Sequence, residues 1–86
     1  MYFCYLLRCS DGSLYAGITT DPARRLKQHS RGQASKYTAA RRPVRLVWKE
    51  KQRSRSSALR REAQIKRWPR RRKQALIRRT RRRRVR

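Results

Sequence analysis

The chain has 86 residues, with 28 Lys and Arg against 4 Asp and Glu, a formal net charge of +24. Only 36% of the residues are hydrophobic, so one small core is feasible and two domains are not. No apolar run approaches the roughly 20 residues of a membrane span, and the first ten residues lack the basic start and cleavage site of a secretory signal.

Tyr2 to Cys9 reads as a strand, with Phe3, Tyr5 and Leu7 on one face. Ser10-Asp11-Gly12-Ser13 is a turn signal, and Leu14 to Thr19 is the return strand of a hairpin. Leu14, Ala16 and Ile18 share one of its faces; Tyr15, Gly17 and Thr19 share the other. Cys4 and Cys9 would lie about 16 Å apart on opposite faces of the first strand. A disulfide needs Cα atoms within roughly 7 Å, so buried reduced thiols are expected. Two Cys and one His also fall short of an ordinary structural zinc site.

Asp21-Pro22 is an N-cap followed by proline at the first helical position. A helix is predicted from Pro22 to about Ser30, closed by Gly32. Arg25 and His29 stand four apart on one face of it. Residues 32–43 read as a polar basic loop containing Lys36, Tyr37, Arg41 and Arg42, all candidates for nucleic-acid contact. Val44, Leu46 and Trp48 alternate with polar or smaller residues, which predicts a third strand. Serines at 54, 56 and 57 would cap a helix from about Ser56 to Trp68, with Ala58, Leu59 and Ile65 on its apolar stripe. After Pro69 a short basic helix carries Leu76 and Ile77. Residues 78–86 form an arginine-rich tail predicted to be disordered when free, so the domain is placed at 1–77.

The charge points to a polyanion. Residues 70–86 hold 11 cations and no acid, which leaves +13 on residues 1–69. Phosphate contacts with counterion release make nucleic acid the first candidate partner. The tail arginines Arg78, Arg79, Arg81, Arg82, Arg83 and Arg84 would supply sequence-independent grip.

Three constellations carry chemistry. Glu62 shares a helical face with Ala58 and Ile65, where a carboxylate is costly unless paired or bound to a metal; the alternative is a structural ion pair with an arginine. Arg25 and His29 aim a phosphate-binding fork and a proton carrier at one point; the alternative is a solvated face. Tyr5 and Tyr15 occupy paired strands, as packing residues or as phenols whose proton neighbouring cations would loosen.

The order of these residues is more specific than any one of them. Tyr5 within Cys4-Tyr5-Leu6, then Tyr15-Ala16-Gly17, Arg25, His29 and Glu62 resembles the GIY-YIG nuclease family. Leu14 to Asp21, Ser35-Lys36-Tyr37-Thr38, Arg42-Pro43-Val44 and Leu59 to Lys66 resemble its small single-domain bacterial branch, the UPF0213 proteins. The resemblance covers about residues 2–77. It implies an α+β fold, a three-stranded antiparallel sheet flanked by helices, and metal-dependent hydrolysis of phosphodiester bonds. It implies that Glu62 holds one Mg²⁺ or Mn²⁺ ion and that Arg25 contacts the scissile phosphate. Tyr5 and Tyr15 would orient or activate water, His29 would assist proton movement, and Gly17 would keep the strands close. The first motif keeps only its tyrosine, Ile18 stands where some relatives carry lysine, and the chain has no Asn.

The expected activity is an endonuclease acting on structured or damaged DNA with little sequence specificity. A protein partner would add specificity, and the setting would be the bacterial cytoplasm or nucleoid. The alternatives are a non-catalytic nucleic-acid-binding module and a basic RNA- or ribosome-associated protein. Deleting residues 78–86 removes 7 cations. The deletion is expected to weaken binding equally across DNA sequences and to flatten the slope of log K against log salt by several units. Titrations at four salt concentrations check this.

Overall fold

The structure, a computed structural model, describes residues 1–84, and the side chains of residues 1–80. Strand β1 (Tyr2–Arg8) pairs antiparallel with β2 (Leu14–Thr19) through the predicted turn. It pairs antiparallel on its other side with β3 (Arg45–Gln52), giving the sheet order β2-β1-β3. The fold is therefore α+β, a three-stranded antiparallel sheet with four helices.

Both faces of the sheet are covered. On one, Cys4, Leu6, Ala16 and Trp48 pack against Ile65, Leu76 and Ile77. On the other, Tyr5, Leu7, Cys9 and Val44 pack with Tyr15, Leu26 and Leu46. Cys4 and Cys9 fall in different cores and are free, as the strand period requires.

The third strand differs from its sequence pattern. Leu6 pairs with Trp48 but Leu7 pairs with Leu46, so a bulge at Val47 inserts one residue. It flips the parity of β3, sending Leu46 and Val44 to one core and Trp48 to the other. Alternation alone places all three on one face.

Helix α1 (Pro22–Ser30) matches the predicted span, with the Asp21 side chain accepting the Arg24 N–H. Gly32 closes it at φ +76°, a left-handed conformation that glycine adopts without a Cβ clash. Residues 36–39 are not loop but one helical turn, α2 (Lys36–Ala39), capped by Ser35. Four residues carry no readable period, so hydropathy could not reveal it. Helix α3 (Arg55–Arg67) begins in a capping box between Ser54 and Ser57. Ala58 and Ile65 are its buried residues, while Leu59 is 38% exposed and lies outside the stripe assigned to it. Helix α4 (Arg70–Arg84) runs past Ile77, where disorder was expected. Arginine is a good helix former, and Leu76 and Ile77 anchor the helix on the core. Val85 and Arg86, the end of the predicted tail, lie outside the described residues.

Arg61 holds α3 to β3 through both oxygens of Glu50, at 2.9 and 3.4 Å, and lies 5.3 Å from the Trp68 ring centre. Among the described residues no helix is long and apolar enough to cross a membrane. The Ile65 side chain is fully buried where α3 meets the sheet. Ile65→Ala is expected to cost about 2–4 kcal/mol in urea unfolding, and Leu59→Ala under about 0.5 kcal/mol.

Candidate active site

The site starts from the register of the hairpin. Tyr5 lies directly across from Gly17. A Cβ on Gly17 would stand 2.5 Å from the Tyr5 hydroxyl oxygen and 2.6 Å from Cζ. Only a residue without a side chain lets the Tyr5 ring lie across β2. From there the hydroxyl reaches His29 of α1, with Oη 2.9 Å from Nε2. The other ring nitrogen, Nδ1, is 2.7 Å from Oγ1 of Thr38 on α2. Tyr5, His29 and Thr38 are all buried.

Tyr15, on the same sheet face, stands edge-on to His29 with ring centres 5.2 Å apart. Tyr37 stacks on Tyr15 at 5.8 Å, and the Arg41 guanidinium covers Tyr37 at 3.8 Å from the ring centre. Arg41 also binds Asp11 and the Tyr37 carbonyl oxygen. The helix α1 spacing sets Arg25 one turn before His29, half-buried, beside a cleft of about 250 Å³ lined also by Thr19, Asp21, Arg24 and Gln28.

Electrostatics fixes the protons here. Burial pushes the Tyr5 phenol up to about 12, with Tyr15 adding and Arg25 opposing. Burial, then the like charge of Arg25, holds His29 below its ordinary value. The expectation that surrounding cations would favour a Tyr5 phenolate therefore fails, because desolvation outweighs them. At neutral pH the pair is a phenol hydrogen-bonded to a neutral imidazole.

Glu62 projects from α3 with its side chain 18% exposed, and its ion-pair partner is Lys66, 3.5 Å from Oε2, not an arginine. Its charge raises both the Cys4 thiol and the Tyr5 phenol, so it acts on the same region of β1. Among the described residues no three His, Cys, Asp or Glu gather into a metal cage. The protein offers a metal one carboxylate, whose Lys66 partner would have to give way to the ion. That fits a single hard cation completed by water and substrate oxygens, as Mg²⁺ prefers, and does not fit an all-protein site.

The structure thus gathers Tyr5, Tyr15, Arg25 and His29 on one face of the sheet. Glu62 rises from α3, whose buried Ile65 packs on the other face, and meets this group through its charge and not through a direct contact. The candidate nucleic-acid contacts are dispersed. Lys36 and Tyr37 are exposed on α2. Arg41 and Arg42 are engaged internally, Arg42 with the Ala39 carbonyl oxygen. Arg78 and Arg79 are exposed on α4, whose core residues pack on the sheet face opposite Tyr5 and Tyr15. For Arg81 to Arg84 the backbone alone is described. Sequence reasoning missed Thr38. Its signal was the Ser35-to-Thr38 spacing, in which the Ser35 side chain accepts the Thr38 N–H.

Residues 1–75 match the family described as the GIY-YIG catalytic domain. UPF0213 proteins of Staphylococcus aureus strains Mu50 and N315 are each 49% identical over 76 residues, covering 88% of this chain and 93% of theirs. A UPF0213 protein of Bacillus halodurans, solved by solution NMR, is 44% identical with a TM-score of 0.57. The match covers 90% of this chain and 83% of that one.

Gly17→Ala is expected to keep the fold but expel the Tyr5 ring from its place, at a cost of about 1–3 kcal/mol. Chemical denaturation measures the loss, and NMR of the single His ring detects the broken hydrogen bond.

Proposed function

The chain belongs to the GIY-YIG catalytic domain family, a nuclease family, and on that premise we propose that it is a Mg²⁺- or Mn²⁺-dependent endonuclease. Its substrate on this reading is DNA, structured or damaged, held mainly through backbone charge and with little sequence specificity. The observation that carries the reading is the Tyr5–His29 hydrogen bond, with Arg25 one turn away from the imidazole.

Arg25 binds two oxygens of the scissile phosphate through its planar fork and stays charged throughout. Water attacks phosphorus as its proton passes to Tyr5 Oη, and the phenol's own proton passes to His29 Nε2. The P–O bond to the leaving sugar oxygen breaks, that oxygen takes a proton from solvent, and the His29 imidazolium returns its proton through Tyr5 to solvent, which restores the neutral pair. The raised Tyr5 value suits this hand-off, since the phenol needs no resident negative charge. Glu62 would hold the divalent ion, whose charge offsets the charge developing on the phosphoryl oxygens. Tyr15 packs against the imidazole and limits its motion. Arg78 and Arg79 add grip without base reading.

The rival reading, a nucleic-acid-binding module without catalysis, draws on the Lys66–Glu62 pair, which already balances the carboxylate. Nicking of duplex, nicked, flap and branched DNA separates the two. Metal-dependent cleavage that Glu62→Ala lowers more than about a hundredfold, with DNA affinity unchanged, is the expected result. Wild-type protein that cleaves none of the four substrates leaves the binding module. Tighter binding to structured RNA than to DNA at matched salt replaces the DNA assignment.

A further inference from the structure

We propose that Thr38 is a positioning residue that fixes the tautomer of His29, placing the ring proton on Nδ1 and leaving Nε2 open to the Tyr5 hydroxyl. The tautomer follows from the hydrogen-bond network. Thr38 is fully buried, and its Oγ1 lies 3.3 Å from the Ser35 carbonyl oxygen and 2.7 Å from His29 Nδ1. A carbonyl only accepts, so the Thr38 hydroxyl proton is spent on Ser35. The Thr38 oxygen is then an acceptor, and Nδ1 must donate to it. A neutral imidazole carries one ring proton, so Nε2 is bare and Tyr5 donates to it across 2.9 Å.

Reversing the chain breaks it at both ends. An Nε2–H would point at the Tyr5 oxygen, and the phenolic proton would need another acceptor. The neighbouring Arg25 offers donors only. At the far end Thr38 would turn its proton to Nδ1 and give up its bond to the Ser35 carbonyl, which would keep only the Ala39 N–H at 3.0 Å. The direction from Tyr5 to Nε2, from Nδ1 to Thr38 and from Thr38 to Ser35 keeps all three contacts. His29 stays neutral because it is buried and faces Arg25, which keeps one ring nitrogen free. The four residues of α2, between the Ser35 cap and the turn at Ala40, therefore set which way a proton runs in α1 and β1. The catalytic weight of this arrangement rests on the nuclease reading; the tautomer itself does not.

The chain contains one His, so a long-range proton–nitrogen NMR spectrum of the full-length protein reads this ring without ambiguity. The wild type is expected to show Nδ1 protonated and Nε2 bare at neutral pH. Thr38→Val, close in shape but without the hydroxyl, is expected to shift the ring to the Nε2–H form and to lower cleavage by about a hundredfold. Thr38→Ser restores the hydroxyl and is expected to hold the Nδ1–H form, with cleavage within about threefold of wild type. An Nε2–H ring in the wild type overturns the proposal. So does a Thr38→Val protein, or a Thr38→Ser protein should Val fail to fold, whose tautomer contradicts this pattern. A protein with the expected tautomers that cleaves no nucleic acid upholds the role of Thr38 and removes the nuclease reading alone.

Discussion

Strand β1 has no solvent face, and the rest of the molecule follows from that. Its residues Cys4 to Leu7 are all buried, and successive side chains enter different cores. Helices must cover both sides, α3 and α4 on one, α1 with α2 on the other. A tyrosine placed on such a strand is taken from water, which makes its phenol a poor acid. The missing side chain at Gly17 gives that ring room to lie over the edge strand and meet His29. Packing and proton chemistry are thus set by one strand and one absent Cβ.

With so few acids, the work each one does is informative. Asp11 holds Arg41 and the turn at Ser13. Asp21 starts α1, and Glu50 clamps Arg61. Each of these three carboxylates makes a structural contact. Among the described residues Glu62 makes no such contact. Its one partner there is an exposed lysine one turn along its own helix, an arrangement worth only a few tenths of a kcal/mol. A half-buried carboxylate so lightly held contributes little to folding, and that separates it from the other three.

Much of this was legible in the residues. The hairpin came from alternation and a turn, α1 from Asp21-Pro22, and the placement of Glu62 from the Ala58-to-Ile65 stripe. The candidate site residues Tyr5, Tyr15, Arg25 and His29 were legible in order but not in contact. What escaped has physical reasons. A bulge at Val47 changes faces without changing the pattern of hydropathy. A one-turn helix has no period. Arginine runs read as tail by composition while favouring helix by propensity. The state of the Tyr5 proton was misjudged because charge is countable in a sequence and desolvation is not.

The order β2-β1-β3 leaves β3 at a sheet edge. Arg45, Lys49 and Lys51 are exposed along it. An unpaired strand edge is a template on which another copy can add its own strand, and the first step toward fibrils is such an addition. Two β3 edges meeting in register would bring rows of like charges together at the spacing of neighbouring strands. Part of this chain's cationic excess thus has a use that needs no ligand: like charge along an open edge opposes strand addition by a second copy.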